Sequence, residues 1–90
     1  MTREQLQSAS QHLESAADGT ADDDAADRLA DLAADLADLA EAEHGPDHGR
    51  MARLQTALSE VQSTVADDVA GTIQAARDDI SSYRETVEGV

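Results

Sequence analysis

His44, Asp47 and His48 stand in one short segment, HGPDHGR, and Arg50 and Arg53 close it and follow it. Imidazole and carboxylate are ligands for zinc, nickel or copper, so a metal could pin this loop. A continuous helix would bring His44 and His48 onto one face, but Gly45 and Pro46 forbid that helix. The same residues read as an interhelical turn, in which His44 near a helix C-terminus suits the macrodipole and Asp47 caps the next helix. His48, Arg50 and Arg53 form the only basic cluster of the sequence. Amide N–H groups at a helix start and arginine forks together suit an anion. The alternative is ion pairing of the arginines with Glu41 and Glu43 across a tight hairpin. His44, Asp47, His48, Arg50 and Arg53 are therefore the candidate ligand loop.

Acids occur side by side at Asp22-Asp23-Asp24, Asp67-Asp68 and Asp78-Asp79. Neighbours on a helix do not face each other, so these are helix starts and solvated faces rather than catalytic dyads. The spacing of a calcium-binding EF-hand is absent, and Gly45-Pro46-Asp47-His48-Gly49 lacks the spacing of a phosphate loop. Serines and threonines are frequent, yet none has a recognisable paired base. His12 is isolated in the first helix. No catalytic residue, resident metal or cofactor is expected, and the sequence reads as that of a non-enzyme.

The elements that must position these residues are helices. Leu29, Leu32, Leu36 and Leu39 step by three, four and three, the rhythm of a buried helix seam. Ala25, Ala33 and Ala40 widen that face, while Asp31, Asp35, Asp38 and Glu41 lie away from it. Before it, Thr2-Arg3-Glu4-Gln5 has the spacing of a capping box for a first helix reaching about Ala17, with Leu6, Ala9, Leu13 and Ala16 on one face. Asp18-Gly19-Thr20 signals a turn that also supplies the next cap, and Asp22, Asp23, Asp24 and Asp27 suit the positive end of the second helix. Gly45 can close that helix in a left-handed conformation, and Pro46 stops its continuation.

A third helix carries Met51, Leu54, Leu58, Val61 and Val65, after which the register jumps to Val69, Ile73, Ala76, Ile80, Tyr83 and Val87. Two consecutive steps of four mark a turn between two helices or a stutter in one long helix. Thr64 followed by Asp67 and Asp68 resembles a fresh N-terminus and favours the turn. A faint internal repeat agrees: Leu6-Gln7-Ser8-Ala9 aligns with Leu54-Gln55-Thr56-Ala57, Leu13 with Val61, Thr20 with Thr64, Leu29 with Ile73, Leu36 with Ile80, and Leu39 with Tyr83. The expected fold is all-α: a single domain, residues 1–90, forming an antiparallel bundle of four helices from two hairpins. The alternative is three helices, the last one long. Leu29, Leu32, Leu36, Leu39, Val69, Ile73, Ile80 and Tyr83, the last being the only aromatic residue, are expected to pack in the core or across a partner interface.

Charge sets the solvent. Twenty acids, thirteen of them Asp, face six Arg and no Lys, a formal charge of −14 on 90 residues. Such a chain repels itself in dilute buffer, but in molar salt the Debye length falls to about 3 Å and the repulsion becomes short-ranged. Asp over Glu, Arg without Lys, and abundant Ala together point to a salt-loving cytosol. Disorder is the other source of such a composition, and the clean periodicity argues against it. The large apolar complement is thin for a lone core, which favours a homo-oligomer or a protein partner. Without cysteine there is no disulfide and no thiolate zinc site. The opening residues lack a signal-peptide core and no run approaches the ~20 apolar residues of a membrane span, so a cytoplasmic location is expected. Non-specific nucleic-acid binding lacks its basic stripe.

GPDHGR at 45–50 and YRETVEGV at 83–90, on this acidic lysine-free background, resemble a family of short haloarchaeal proteins of unknown function. The resemblance covers nearly the whole chain. It implies origin and helicity and carries over no catalytic residue. Three functional readings remain: a helical structural or interaction module acting through packing with itself or a protein partner; a metal- or anion-binding regulatory domain using loop 44–53; and an acidic mimic of nucleic acid.

Overall fold

The computed structural model describes residues 3–42 and 48–88. Four helices make up most of them, with no strand among the described residues: α1 (Glu4–Gly19), α2 (Asp23–Glu41), α3 (His48–Gln62) and α4 (Asp67–Glu88). They run alternately up and down in a bundle measuring 40 × 19 × 18 Å. The four-helix reading holds, and the alternative of one long C-terminal helix does not. α1 is the central element, packed along α2 on one side and α4 on the other. α3 rests on α4 and meets α2 only lightly. His44, Gly45, Pro46 and Asp47 lie outside the described residues.

The helix ends show how polar groups fix the hairpins. α1 begins one residue later than a Thr2–Gln5 capping box would place it. Arg3 takes the N-cap position without a side-chain cap bond, and Thr2 lies outside the described residues. The Arg3 guanidinium instead reaches the far end of α2, where Nη1 donates to the carbonyls of Leu39 (3.0 Å) and Ala42 (2.8 Å). Its backbone N–H donates to Ala40 O at 3.1 Å. A cation thus satisfies carbonyls that α2 leaves without intrahelical donors, at the negative end of its dipole.

The α1–α2 turn also departs from expectation. Asp22, not Thr20, caps α2: its Oδ1 accepts from the N–H groups of Asp24 (3.0 Å) and Ala25 (3.2 Å). Thr20 sits too early, and its hydroxyl accepts from Asp22 N–H at 3.3 Å. At the second turn Ser63 and Thr64 donate their hydroxyls to Glu60 O and Val61 O, each at 2.8 Å. Both therefore close α3. α4 starts independently, with Ala66 O accepting from Ala70 N–H at 2.8 Å and Asp68 Oδ1 accepting from Val69 N–H at 2.9 Å.

The core sits on the axis. Leu6, Leu13, Leu29, Leu36, Met51, Leu58, Ile73 and Ile80 are the large side chains fully removed from solvent. Ser10 is the one buried polar residue among those described, and its hydroxyl donates to Ala33 O at 2.7 Å. That bond joins the middles of α1 and α2 at a point where small side chains bring the two backbones close. The aligned pairs of the internal repeat occupy matching places: Leu29 and Ile73, and Leu36 and Ile80, are all at 0 % exposure. Leu39 and Tyr83 are both half-buried against the core.

Candidate functional site

Both apolar stripes turn inward. Leu29, Leu36, Ile73 and Ile80 are fully buried, Leu32 and Val69 nearly so, and Leu39 and Tyr83 cover the end of the bundle where α1 and α3 begin. The side chain of Val87 is outside those described. Leu29, Leu36, Ile73 and Ile80 hold the monomer together, while Leu39 and Tyr83 keep part of their surface exposed. An interaction surface must be sought on what the four helices leave open.

One opening, about 350 Å³, lies between the two described turns, among Gly19, Thr20, Asp22, Thr64 and Val69; another is the seam between α2 and α3. The residual exposure of the core locates it: along α1, Leu6, Ala9 and Leu13 are at 0 % and Ala16 at 2 %. Across the seam, Ala25, Leu32 and Leu54 are at 6 %, Val61 at 7 % and Ala57 at 8 %. These five form the floor of two recesses placed end to end. The first, about 240 Å³, lies among Leu32, Asp35, Arg50, Arg53, Leu54 and Ala57. The second, about 440 Å³, is rimmed by Asp22, Asp24, Arg28, Glu60 and Thr64 above Ala25 and Val61. From Arg50 to Val61 the groove follows α3 for about 16 Å at 1.5 Å per residue.

The arginines divide by the same geometry. Arg3, Arg77 and Arg84 are half-buried; Arg28, Arg50 and Arg53 are exposed, and all three exposed ones border the seam. Arg77 is held without a carboxylate: its Nε donates to Gln55 Oε1 (3.0 Å) and its Nη1 to Gln62 Oε1 (2.7 Å). Gln55 Nε2 returns a bond to Arg77 O at 3.0 Å, and Gln62 Nε2 donates to Ala70 O at 3.1 Å. This lattice of amides ties α3 to α4, the counterpart of the contact α3 lacks with α2. Arg84 Nε is buried and has no hydrogen-bond partner among the described residues.

Of the candidate ligand loop, His44 and Asp47 lie outside the described residues. His48, Arg50 and Arg53 are exposed on the first turns of α3, and Glu41, His48 and Arg50 are each engaged in polar or electrostatic contacts. Among the described residues, no carboxylate lies within ion-pairing distance of Arg28 or Arg53. The described residues contain no group of three or more His, Asp or Glu placed to hold a metal. The side-by-side acids diverge, as neighbours on a helix must: Asp78 accepts from Gln74 Nε2 at 3.0 Å. Asp79 turns inward, with Oδ2 3.5 Å from His12 Nε2. His12, isolated in sequence, thus meets an acid of α4.

The sequence profile of DUF7553, a family of unknown function, matches residues 1–86. The chain belongs to that family. No curated protein and no solved structure matches it. The match runs through α1, α2 and α3 and most of α4, so the seam lies wholly within the DUF7553 domain. No helix is long and apolar enough to cross a membrane among the described residues.

Sequence reasoning missed Arg28, Ala25, Leu54, Ala57 and Val61 as parts of one surface. A signal was present. On α2, positions 25, 28, 32 and 35 also step by three, four and three, one position round from the core stripe, and they mix Ala, Leu and Arg with a single acid. The matching stripe on α3 runs through 50, 53, 54, 57 and 61. In so acidic a chain, two facing stripes that contain all the exposed arginines are the departure that marks the site.

Proposed function

We propose that this chain is a small, non-catalytic helical interaction module that associates with a protein, itself included, along the α2–α3 seam, in the cytosol of a salt-loving archaeal cell. The residual exposure of the seam floor, 6–8 % against 0–2 % along α1, carries the reading. Three sides of the bundle are closed by helix contact and one is left ajar over apolar side chains. Apolar floor with a charged rim is the anatomy of a protein interface. The exposed arginines on that rim favour the same conclusion, because arginine is enriched where interfaces form. The acidic, lysine-free composition supports the high-salt cytosol, where the charge on two partners is screened enough for them to meet.

A thiol footprint tests this. The chain has no cysteine, so Ala57→Cys places a unique thiol on the seam floor, and Ala52→Cys places one on the exposed face of α3. Alkylation of the Ala57→Cys variant is expected to slow, relative to that of Ala52→Cys, when the protein is concentrated in molar salt or placed in an extract of its native cells. Equal alkylation of both variants under both conditions would overturn the proposal.

A further inference from the structure

Resting on the seam as the interaction face, we propose that Arg53 is a salt-released strap across it. When charge is unscreened its guanidinium pairs with Asp35 over the first recess; molar salt frees it and opens the floor to a partner. Three observations place the strap. Arg53 and Asp35 stand on opposite rims of the same recess of about 240 Å³, one on α3 and the other on α2. Residues 48–59 contain no acid, so Arg53 has no carboxylate within a turn on its own helix. Neither Arg53 nor Asp35 is in an ion pair among the described residues. Arg50, on the same rim, is already engaged in a polar or electrostatic contact.

The floor sets the register. α2 and α3 are antiparallel, and the recess linings place Ala25 with Val61 and Leu32 with Leu54. On that register Asp35 is level with Met51, about 3 Å along the axis from Arg53 at 1.5 Å per residue. That offset is short beside an arginine side chain, so a change of rotamer carries the guanidinium across, and its stem then lies over Leu32 and Leu54. Exposed side chains change rotamer within nanoseconds, so the strap follows the solvent without motion of the helices. An exposed ion pair shifts such an equilibrium by a factor of about two to five. Salt removes that preference as the Debye length falls from about 8 Å at 0.15 M to about 3 Å at 1 M. Arg28 and Glu60 border the second recess in a similar way. Asp24, one turn from Arg28 on α2, competes with Glu60 there, and the strap is assigned to Arg53 alone.

Paramagnetic relaxation by a neutral nitroxide dissolved in the solvent reads the cover on the intact chain. The methyls of Leu32 and Leu54 are followed in molar salt and at the lowest salt at which those of Leu6 and Leu29, at 0 % exposure, remain shielded. Both readings then come from the folded bundle. In the wild type the relaxation of Leu32 and Leu54 is expected to fall about two- to fivefold at the lower salt. Arg53→Asp and Asp35→Arg each set like charges on the two rims, and each is expected to abolish the salt response. The two changes combined restore an opposite pair at the wild-type net charge, and the response is expected to return. Wild-type methyls equally open at both salts, a response kept by the single variants, or a double variant that does not recover would overturn the strap. The thiol footprint separates this from the seam reading. If the strap fails while Ala57→Cys is shielded in the cell extract, the seam is an interaction face without a gate. If the strap responds but that thiol is never shielded, the interaction reading falls and the strap's regulatory role falls with it.

Discussion

Transfer from molar to millimolar salt is expected to lower the melting temperature by on the order of 20 °C, with helix lost in parallel. The surface explains the size of the effect. Asp23, Asp24, Asp27, Asp31 and Asp38 project from α2, and Asp67, Asp68 and Asp78 from α4, all exposed. The cations that would offset them are partly diverted: Arg3 is bound to carbonyls and Arg77 to glutamine amides. At millimolar salt the Debye length of about 30 Å at 0.01 M approaches the bundle's long dimension, so acids throughout the molecule repel one another; at about 3 Å in molar salt only near neighbours do. Folding crowds these charges, and the unfolded chain relieves them. A repulsion of a few kcal/mol, at about 4–8 °C per kcal/mol for a domain of this size, gives the stated shift. Circular dichroism melts across a salt series measure it directly. A cooperative transition at an unchanged temperature in millimolar salt would show that the acidic surface does not govern stability.

Truncating Leu36 to alanine is expected to cost about 3–5 kcal/mol, while the same change at Leu32, one turn away on α2, costs about 2 kcal/mol. Leu36 is at 0 % exposure and Leu32 at 6 %. The difference comes from what surrounds the removed atoms. At Leu36 the neighbouring helices are fixed on every side, so truncation leaves a void that cannot close. At Leu32 the α2–α3 recess already opens beside the side chain, so water or a small shift of α3 fills the space. Denaturant melts in molar salt, where the wild type is expected to be most stable, read both values. Equal losses at the two positions would mean that the seam is as tightly closed as the rest of the bundle.

The helices and their buried faces were legible in the sequence because apolar periodicity reports burial directly: Leu29, Leu36, Ile73 and Ile80 follow the expected rhythm and are at 0 % exposure. The break after α3 was legible from the register jump at Val65. The caps were less so. Arg3 and Ala42 are 39 residues apart, and no local spacing rule can foresee a side chain that caps a different helix. Thr20 and Thr64 carry the right chemistry at the wrong step of the turn. The seam was harder still, since periodicity tells which residues face inward but not which pair of helices stands apart. That depends on α1 filling the centre and on the Gln55–Arg77–Gln62 amides drawing α3 toward α4. Stripes that could face a partner or a core are undecided in one dimension; here Leu29, Leu36, Ile73 and Ile80 are core, and Leu39 and Tyr83 are half-buried at its end.

The claim that the chain associates through its open α2–α3 seam is tested most directly by sedimentation equilibrium of Ala57→Arg beside the wild type in molar salt. Ala57 lies on the seam floor with space in front of it, so the added side chain can point out of the groove and leave helix content and melting temperature close to those of the wild type. The wild type is expected to associate as its concentration rises, and Ala57→Arg to stay monomeric throughout the same range. Two folded proteins that associate equally would contradict it; two that both remain monomeric would rule out the chain itself as the occupant of the seam.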